Sequence, residues 1–216
     1  MRLIKMFGLA AIVAVVGMAF VGASSALAVL DPETVICKSN VELCGASEIL
    51  PQGSIITAVA LEGEKAPVLL GQINEKCNKS TIKVEIESPG GMGTPLAGKE
   101  PAGGGGLTFS ECSPCSTVTA SAGLGTLEMN GANSWALKTS GKTKFSNCTF
   151  GISCGFEAKS VTLSAQNDAA AGGLLVLAEK AGPFALTEGS AFLCGSSGTW
   201  DAHYIAKGHW LSTYKL

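Results

Sequence analysis

The chain has 216 residues, a formal net charge of −2 and only 15% charged residues, against roughly 25% in typical soluble domains. Its basic residues form no block, so the sequence lacks the positive patch with which proteins bind nucleic acids or anionic membranes. We therefore expect neither a nucleic-acid-binding protein nor one held on a membrane surface.

The N-terminus has the three-part layout of a secretory signal peptide. A basic start precedes an apolar run over residues 6–20, and the small-residue sequence Ala26-Leu27-Ala28 follows. This layout predicts cleavage after Ala28, with residues 1–28 as signal peptide and residues 29–216 as a single β-rich domain. Because the apolar run is short and no second one follows, we expect a secreted protein with no membrane span in the mature chain.

Alternating apolar and polar residues predict many short β-strands. The clearest run is 76–88, where Ile82, Val84 and Ile86 alternate with polar residues and therefore share one face of a half-buried strand. Further runs, separated by turn-forming residues, lie at 54–61, 107–110, 116–122, 126–130, 134–139, 160–165, 173–179, 199–206 and 210–215. The expected fold is all-β, an antiparallel β-sandwich or barrel-like domain stapled by disulfides.

Two connections between these strands are distinctive. Residues 89–106 contain eight glycines and three prolines, a composition that predicts a long surface loop, with an interdomain linker as the alternative. Because binding sites are often carried on loops over a rigid scaffold, this Gly/Pro-rich loop is the expected place of partner contact. Residues 167–173, between two predicted strands, indicate a hairpin turn.

The cysteines predict a disulfide framework. An even number of them in an exported chain favours full oxidation, and they lie beyond the signal peptide at Cys37, Cys44, Cys77, Cys112, Cys115, Cys148, Cys154 and Cys194. Loop lengths favour Cys37–Cys44, Cys148–Cys154, Cys112–Cys115 and Cys77–Cys194, with other connectivities left open. Cys112-Ser-Pro-Cys115 has redox-motif spacing but precedes no helix that would lower a thiol pKa. No ligand set for zinc accompanies it, so neither a metal nor a cofactor is expected.

Asp201 and His203 are the candidate catalytic residues. They lie two apart on a predicted strand, so their side chains share one face, and a serine from elsewhere would be needed to complete a hydrolytic triad. No Gly-x-Ser-x-Gly turn is present to supply that serine. We therefore expect a solvated face with no catalytic residues, and Trp200 and Tyr204 packed inward.

A resemblance supports the secreted β-rich class. Phe109-Ser-Glu-Cys112 recurs as Phe145-Ser-Asn-Cys148, and each copy precedes a further cysteine and an alternating run. The first copy, together with the closing segment Gly198-Thr-Trp-Asp-Ala-His-Tyr-Ile205, resembles small secreted actinobacterial proteins of uncharacterised function. The resemblance implies a bacterial signal peptide and a β-rich, disulfide-bearing body, and it supplies no catalytic residue.

The sequence favours a secreted, non-enzymatic structural or binding protein with an unknown extracellular partner or glycan. One alternative is a secreted hydrolase of polysaccharide or protein that uses Asp201 and His203. The other is a glycan-binding module in which aromatic side chains stack on sugars, although in such a chain aromatics more often form the core. The candidate aromatics are Trp135, Trp200, Tyr204, Trp210 and Tyr214.

Overall fold

The described part of the chain contains fourteen β-strands, a 3₁₀ turn at Thr149–Gly151 and a four-residue helix α1 at Ala191–Cys194. The computed structural model describes residues 34–61, 66–70, 73–91, 93–123, 125–131 and 134–214, all within the unit Pro32–Leu216. The all-β class is confirmed. The predicted signal peptide, residues 1–28, lies outside the described residues, so its cleavage stays a prediction.

The strands vary widely in length, and the longest exceed the predicted runs. They are β1 Thr34–Cys37, β2 Leu43–Cys44, β3 Ile55–Ala60, β4 Ala66–Leu70, β5 Ile73–Gly91, β6 Thr94–Lys99, β7 Leu107–Ser113, β8 Thr117–Ala122, β9 Gly125–Gly131, β10 Ser134–Ser146, β11 Cys154–Asp168, β12 Gly173–Glu188, β13 Ser197–Lys207 and β14 Trp210–Tyr214.

Hydrogen-bonded pairing joins the strands into one sheet that closes on itself. From β5 the pairing runs through β3, β13, β12 and β11 to β10. It returns from β10 to β5 by two short routes, one through β9 and β6 and the other through β8 and β7. Every pairing in this ring is antiparallel, so the domain is a closed, barrel-like version of the predicted fold.

One side of the ring, which we name the continuous wall, consists of β11, β12 and β13. Each strand pairs with the next along the chain, and apolar side chains such as Phe156, Leu163 and Val176 are buried in the interior. The β11–β12 connection is the predicted hairpin turn, in which the Gly172 N–H donates to the Asp168 carbonyl at 2.9 Å. Period-two alternation along long strands therefore produces this side of the domain.

The side formed by β6, β7, β8 and β9 is named the seamed wall because its ladder is interrupted. β6 and β9 pair as far as Gly98 and Gly125, and β7 and β8 pair at Thr108 and Thr119. Between these two points the described residues form no ladder pair across the wall. We call this gap the seam.

The prediction of a loop over residues 89–106 is wrong for much of its length. β6 lies inside this segment and pairs with the end of β5, so the segment is neither a free loop nor a linker between domains. Glycine permits the pairing at Gly98, because a Cβ there would lie 2.2 Å from Val84 Cγ1. Gly98 therefore marks a close approach of two strands, and only residues 100–106 connect β6 to β7 outside the sheet.

All eight cysteines are disulfide-bonded, as predicted, but three of the four predicted pairs are wrong. Cys37–Cys44 is confirmed, whereas Cys148–Cys154, Cys112–Cys115 and Cys77–Cys194 do not form. The observed bonds are Cys77–Cys112, Cys115–Cys148 and Cys154–Cys194.

The register of the sheet selects these disulfide partners. Loop length in the sequence carries no information about register, so it could not predict them. Cys77 and Cys112 lie directly opposite each other in the β5–β7 ladder. Cys115 follows β7 and bonds to Cys148, which follows β10. Two of the four disulfides therefore staple the route from β5 to β10 through β7 and β8, which pair at Thr108 and Thr119.

Candidate functional site

An apolar cavity of about 130 Å³ lies inside the closed sheet. Leu163 and Val176 line it from the continuous wall, and Leu107 and Leu127 line it from the seamed wall. All four side chains are buried, because alternation turns one face of every strand inward. Protein interiors are otherwise close-packed, with few voids larger than a water molecule, so a cavity of this size is the leading candidate for a binding site.

The polar border of the cavity follows the seam. Lys99 and Glu100 reach it from the end of β6, and Ser121 reaches it from β8. Ser140 contributes from β10, where the register shifts between Thr139 and Gly141. The cavity therefore combines an apolar interior with a polar edge at the point where the sheet is interrupted.

Each connection beside the seam is hydrogen-bonded to the strand behind it. The Lys83 N–H of β5 donates to the Gly106 carbonyl at 2.6 Å, and the Gly106 N–H donates to Glu100 Oε1 at 2.9 Å. On the other side, the Gly123 N–H donates to the Ser140 carbonyl at 2.9 Å. These bonds hold one edge of the seam to β5 and the other edge to β10.

Trp200 forms part of the cavity wall and lies beside a buried pair of hydrogen-bonded hydroxyl groups. Its ring packs edge-on against Tyr204, with ring centroids 5.8 Å apart, and the Tyr204 hydroxyl shares a 2.7 Å hydrogen bond with Ser80 Oγ. Burial raises the pKa of Tyr204 to about 12, against smaller lowering effects of the Ser80 hydroxyl and the Trp200 indole. The phenol therefore stays protonated at physiological pH.

Asp201 and His203 lie where the sequence places them, on the other face of β13 from Trp200 and Tyr204. Both are half-exposed, whereas Trp200 and Tyr204 are buried. His203 Nε2 lies 4.0 Å from Glu179 Oε1 at the surface. The predicted division of the strand is therefore confirmed, and it separates these two polar residues from the cavity.

The aromatic residues that the sequence offered for glycan stacking are likewise divided between the interior and the surface. Trp135 and Trp200 are 2% and 7% exposed, which leaves Trp210 as the one half-buried indole among the three. Trp135 Nε1 donates to Thr34 Oγ1 at 3.3 Å. Two of the three indoles therefore belong to the interior and cannot stack on a surface glycan.

A buried carboxyl group, which sequence reasoning missed, lies among the disulfides. Glu75 on β5 is 0% exposed, and both of its oxygens accept from the Cys115 N–H, at 3.0 and 3.2 Å. Burial raises the pKa of Glu75, and the Cys115 N–H partly opposes that shift. One carboxyl oxygen lies within 4.8 Å of Cys77 Sγ and Cys112 Sγ, but these sulfurs are bonded to each other and cannot act as thiolate ligands.

Large exposed apolar side chains at one disulfide were also missed. Phe150 is 95% exposed in the 3₁₀ turn before Cys154, and Phe192 is 83% exposed in α1 before Cys194. Because Cys154 and Cys194 are bonded, the two segments lie at the same end of the molecule. Alternation carries no signal for them, since neither residue lies in a strand.

No family model matches the chain, and no curated protein or solved structure shows a significant match to it. Within the described ranges, no helix has the length and apolar character needed to cross a membrane. The candidate site therefore rests on the geometry of this chain alone.

Proposed function

We propose that the protein is an extracellular, non-enzymatic binding protein that holds a small apolar molecule inside its closed sheet. The main support for this proposal is the cavity of about 130 Å³ behind the seamed wall. An engineered apolar cavity of about 150 Å³ in another protein stays dry and binds benzene or xenon. A cavity of similar size and lining is suited to the same class of ligand.

The disulfides and the predicted signal peptide support the extracellular part of the proposal. Four disulfides are typical of proteins that fold in an oxidising compartment. The resemblance to small secreted actinobacterial proteins agrees with this location. Residues 1–28 would then direct export and be removed, which leaves the closed sheet as the functional part.

The two alternatives have less support. A hydrolase would use Asp201 and His203, which lie on the outer face of β13, away from the cavity. A glycan-binding module would stack sugars on the predicted aromatic set, but Trp135, Trp200 and Tyr204 of that set are buried. Neither alternative makes use of the apolar interior, whereas a carrier of an apolar molecule requires it.

Benzene titration of the disulfide-bonded protein tests the proposal. A ligand at tenfold excess over its Kd adds about 1.4 kcal/mol to the free energy of unfolding, which corresponds to about 3–6 °C in Tm for a chain of this size. We expect this shift in the wild type and its loss in Val161→Phe, because Val161 lines the cavity and the larger ring occupies the space.

Thr162→Phe is the matched control, since Thr162 is the next residue of β11 and is exposed. It should keep the full benzene response. Val161→Phe itself costs about 1–3 kcal/mol through overpacking, so each shift is measured relative to the same variant without benzene. An unchanged wild-type Tm, or equal shifts in all three proteins, would contradict an interior site.

A further inference from the structure

Two phenylalanine rings project into solvent at one end of the closed sheet. Phe150 is 95% exposed and Phe192 is 83% exposed, and Leu193 beside the second ring is 44% exposed. The Cys154–Cys194 disulfide holds together the two segments that carry these side chains. Leaving large apolar side chains in water is unfavourable. We name Phe150, Phe192 and Leu193 the apolar tips.

Backbone hydrogen bonds and disulfides fix the segments that carry the apolar tips. In the 3₁₀ turn, the Gly151 N–H donates to the Cys148 carbonyl at 2.9 Å, and Cys148 is bonded to Cys115. In α1, the Cys194 N–H donates to the Ser190 carbonyl at 2.7 Å. Because both segments are already ordered, little further conformational entropy is lost when a partner buries the rings.

The sequence around the apolar tips is uncharged. Residues 145–156 and 189–200 contain no charged side chain. Lys144 and Glu188, which immediately precede these two segments, form an ion pair with each other at 2.7 Å. Contact with an apolar phase would therefore strip water from two rings and from few charged groups, whose desolvation is costly.

Area and shape favour a lipid surface over a second copy of the chain. Two phenylalanine rings bury about 300–500 Å², whereas a stable dimer buries about 800 Å² on each partner. The groove beside Lys144 and Glu188 is lined mostly by hydroxyl-bearing and charged side chains, so a second copy offers the rings no apolar pocket there. A bilayer needs no matching pocket, because its acyl chains rearrange around an inserted side chain.

We propose that the apolar tips dock the protein reversibly on an uncharged lipid bilayer surface, with both rings inserted and the closed sheet outside. Charge alone predicts no attachment to a membrane surface, but apolar rings need no basic patch to insert. Docking makes no use of the cavity, so this inference stands independently of the proposed function. If both hold, docking brings the cavity close to a phase in which apolar molecules dissolve.

Co-sedimentation of the disulfide-bonded protein with phosphatidylcholine vesicles tests the inference. Full burial of one phenylalanine side chain changes a partition coefficient by about tenfold or more. Phe150→Ser and Phe192→Ser should therefore each weaken partitioning by about tenfold, and the double variant should weaken it by more than either. Ile55→Ser is the matched control, since Ile55 is 56% exposed on β3, outside both segments, and it should partition like the wild type.

Tryptophan fluorescence gives a second readout that does not depend on loss of binding. In Phe192→Trp we expect the added emission to shift to the blue with vesicles and to be quenched by lipids brominated in their acyl chains. Ile55→Trp should show neither change. Quenching of both variants to the same extent would overturn insertion through the apolar tips.

The remaining outcomes separate docking from its alternatives. If the wild type does not partition, or partitions as well as the double variant, the inference is overturned. Binding that requires phosphatidylglycerol also overturns it, because attachment then depends on charge. If vesicles are not bound but ultracentrifugation shows a dimer that the double variant lacks, the rings serve self-association instead. The benzene response of the double variant should equal that of the wild type, so the cavity is judged separately.

Discussion

The two walls of the ring achieve closure by different physical means. The continuous wall joins long neighbouring strands by ladders that resume after each register shift, and the Cys154–Cys194 disulfide fastens one end of it. The seamed wall spans the same space with four short strands, and two disulfides fasten the route through it. The seamed wall thus combines covalent links to its neighbours with a β7–β8 ladder that pairs only at Thr108 and Thr119 among the described residues, and its interruption provides the border of the cavity.

The largest expected effect is on the continuous wall. Phe156 is 1% exposed and packs edge-on against Phe145, with ring centroids 6.3 Å apart. Phe156→Ala should cost about 3–5 kcal/mol in the free energy of unfolding. Leu107→Ala on the seamed wall should fall near the lower end of about 2–5 kcal/mol, because Leu107 already borders empty space. Urea unfolding of both variants measures the difference, and equal losses would show that the two walls are packed alike.

Removal of a disulfide tests the fastening of the seamed wall. Cys115–Cys148 closes a separation of 33 residues and Cys37–Cys44 closes one of 7. By the chain-entropy argument the paired Ala variants should lose about 4 and about 2 kcal/mol. Denaturant unfolding of each double variant provides the comparison. A larger loss for Cys37–Cys44 would contradict the special role given to the seamed-wall disulfides.

A pH effect of smaller size is expected at Glu75, beside the same disulfides. Its pKa is raised in the folded state by burial, so its stabilising contribution is fully present below the unfolded value near 4.5. That contribution is lost as pH rises through the higher folded pKa. Glu75→Gln should therefore gain stability relative to the wild type as pH rises.

Thermal unfolding between pH 4 and pH 8 measures this trend. The matched control is Glu87→Gln, on an exposed position of the same strand, which should follow the wild-type pH dependence. If the difference between Glu75→Gln and the wild type stays constant with pH, then Glu75 is not buried as a neutral acid.

The continuous wall was largely predictable, because alternation is a local signal. The runs at 160–165, 173–179 and 199–206 fall within β11, β12 and β13, and the predicted hairpin turn connects the first two of these strands. The repeated Phe-Ser-x-Cys motif also has a structural counterpart. Glu111 and Asn147, at its variable position, both adopt left-handed backbone, with φ of 55° and 53°.

The seamed wall was not predictable, because its determinants are not local. Position 98 is glycine because a side chain there would collide with Val84 on another strand. This contact is not visible in the local composition, which indicated a loop instead. Cys112 finds Cys77 through register, although Cys115 is its nearest cysteine in sequence. The cavity results from the combined side-chain volumes of many strands, so it appears only once those strands are assembled.

Xenon binding to the crystalline protein tests the central claim most directly, namely that an apolar ligand site lies between the two walls. Xenon under pressure enters apolar cavities of this size without needing a polar contact. We expect one ordered xenon site bounded by Leu107, Leu127, Val161 and Val176, absent in Val161→Phe and retained in Thr162→Phe. An interior without xenon, or one filled by side chains or ordered water, would contradict it.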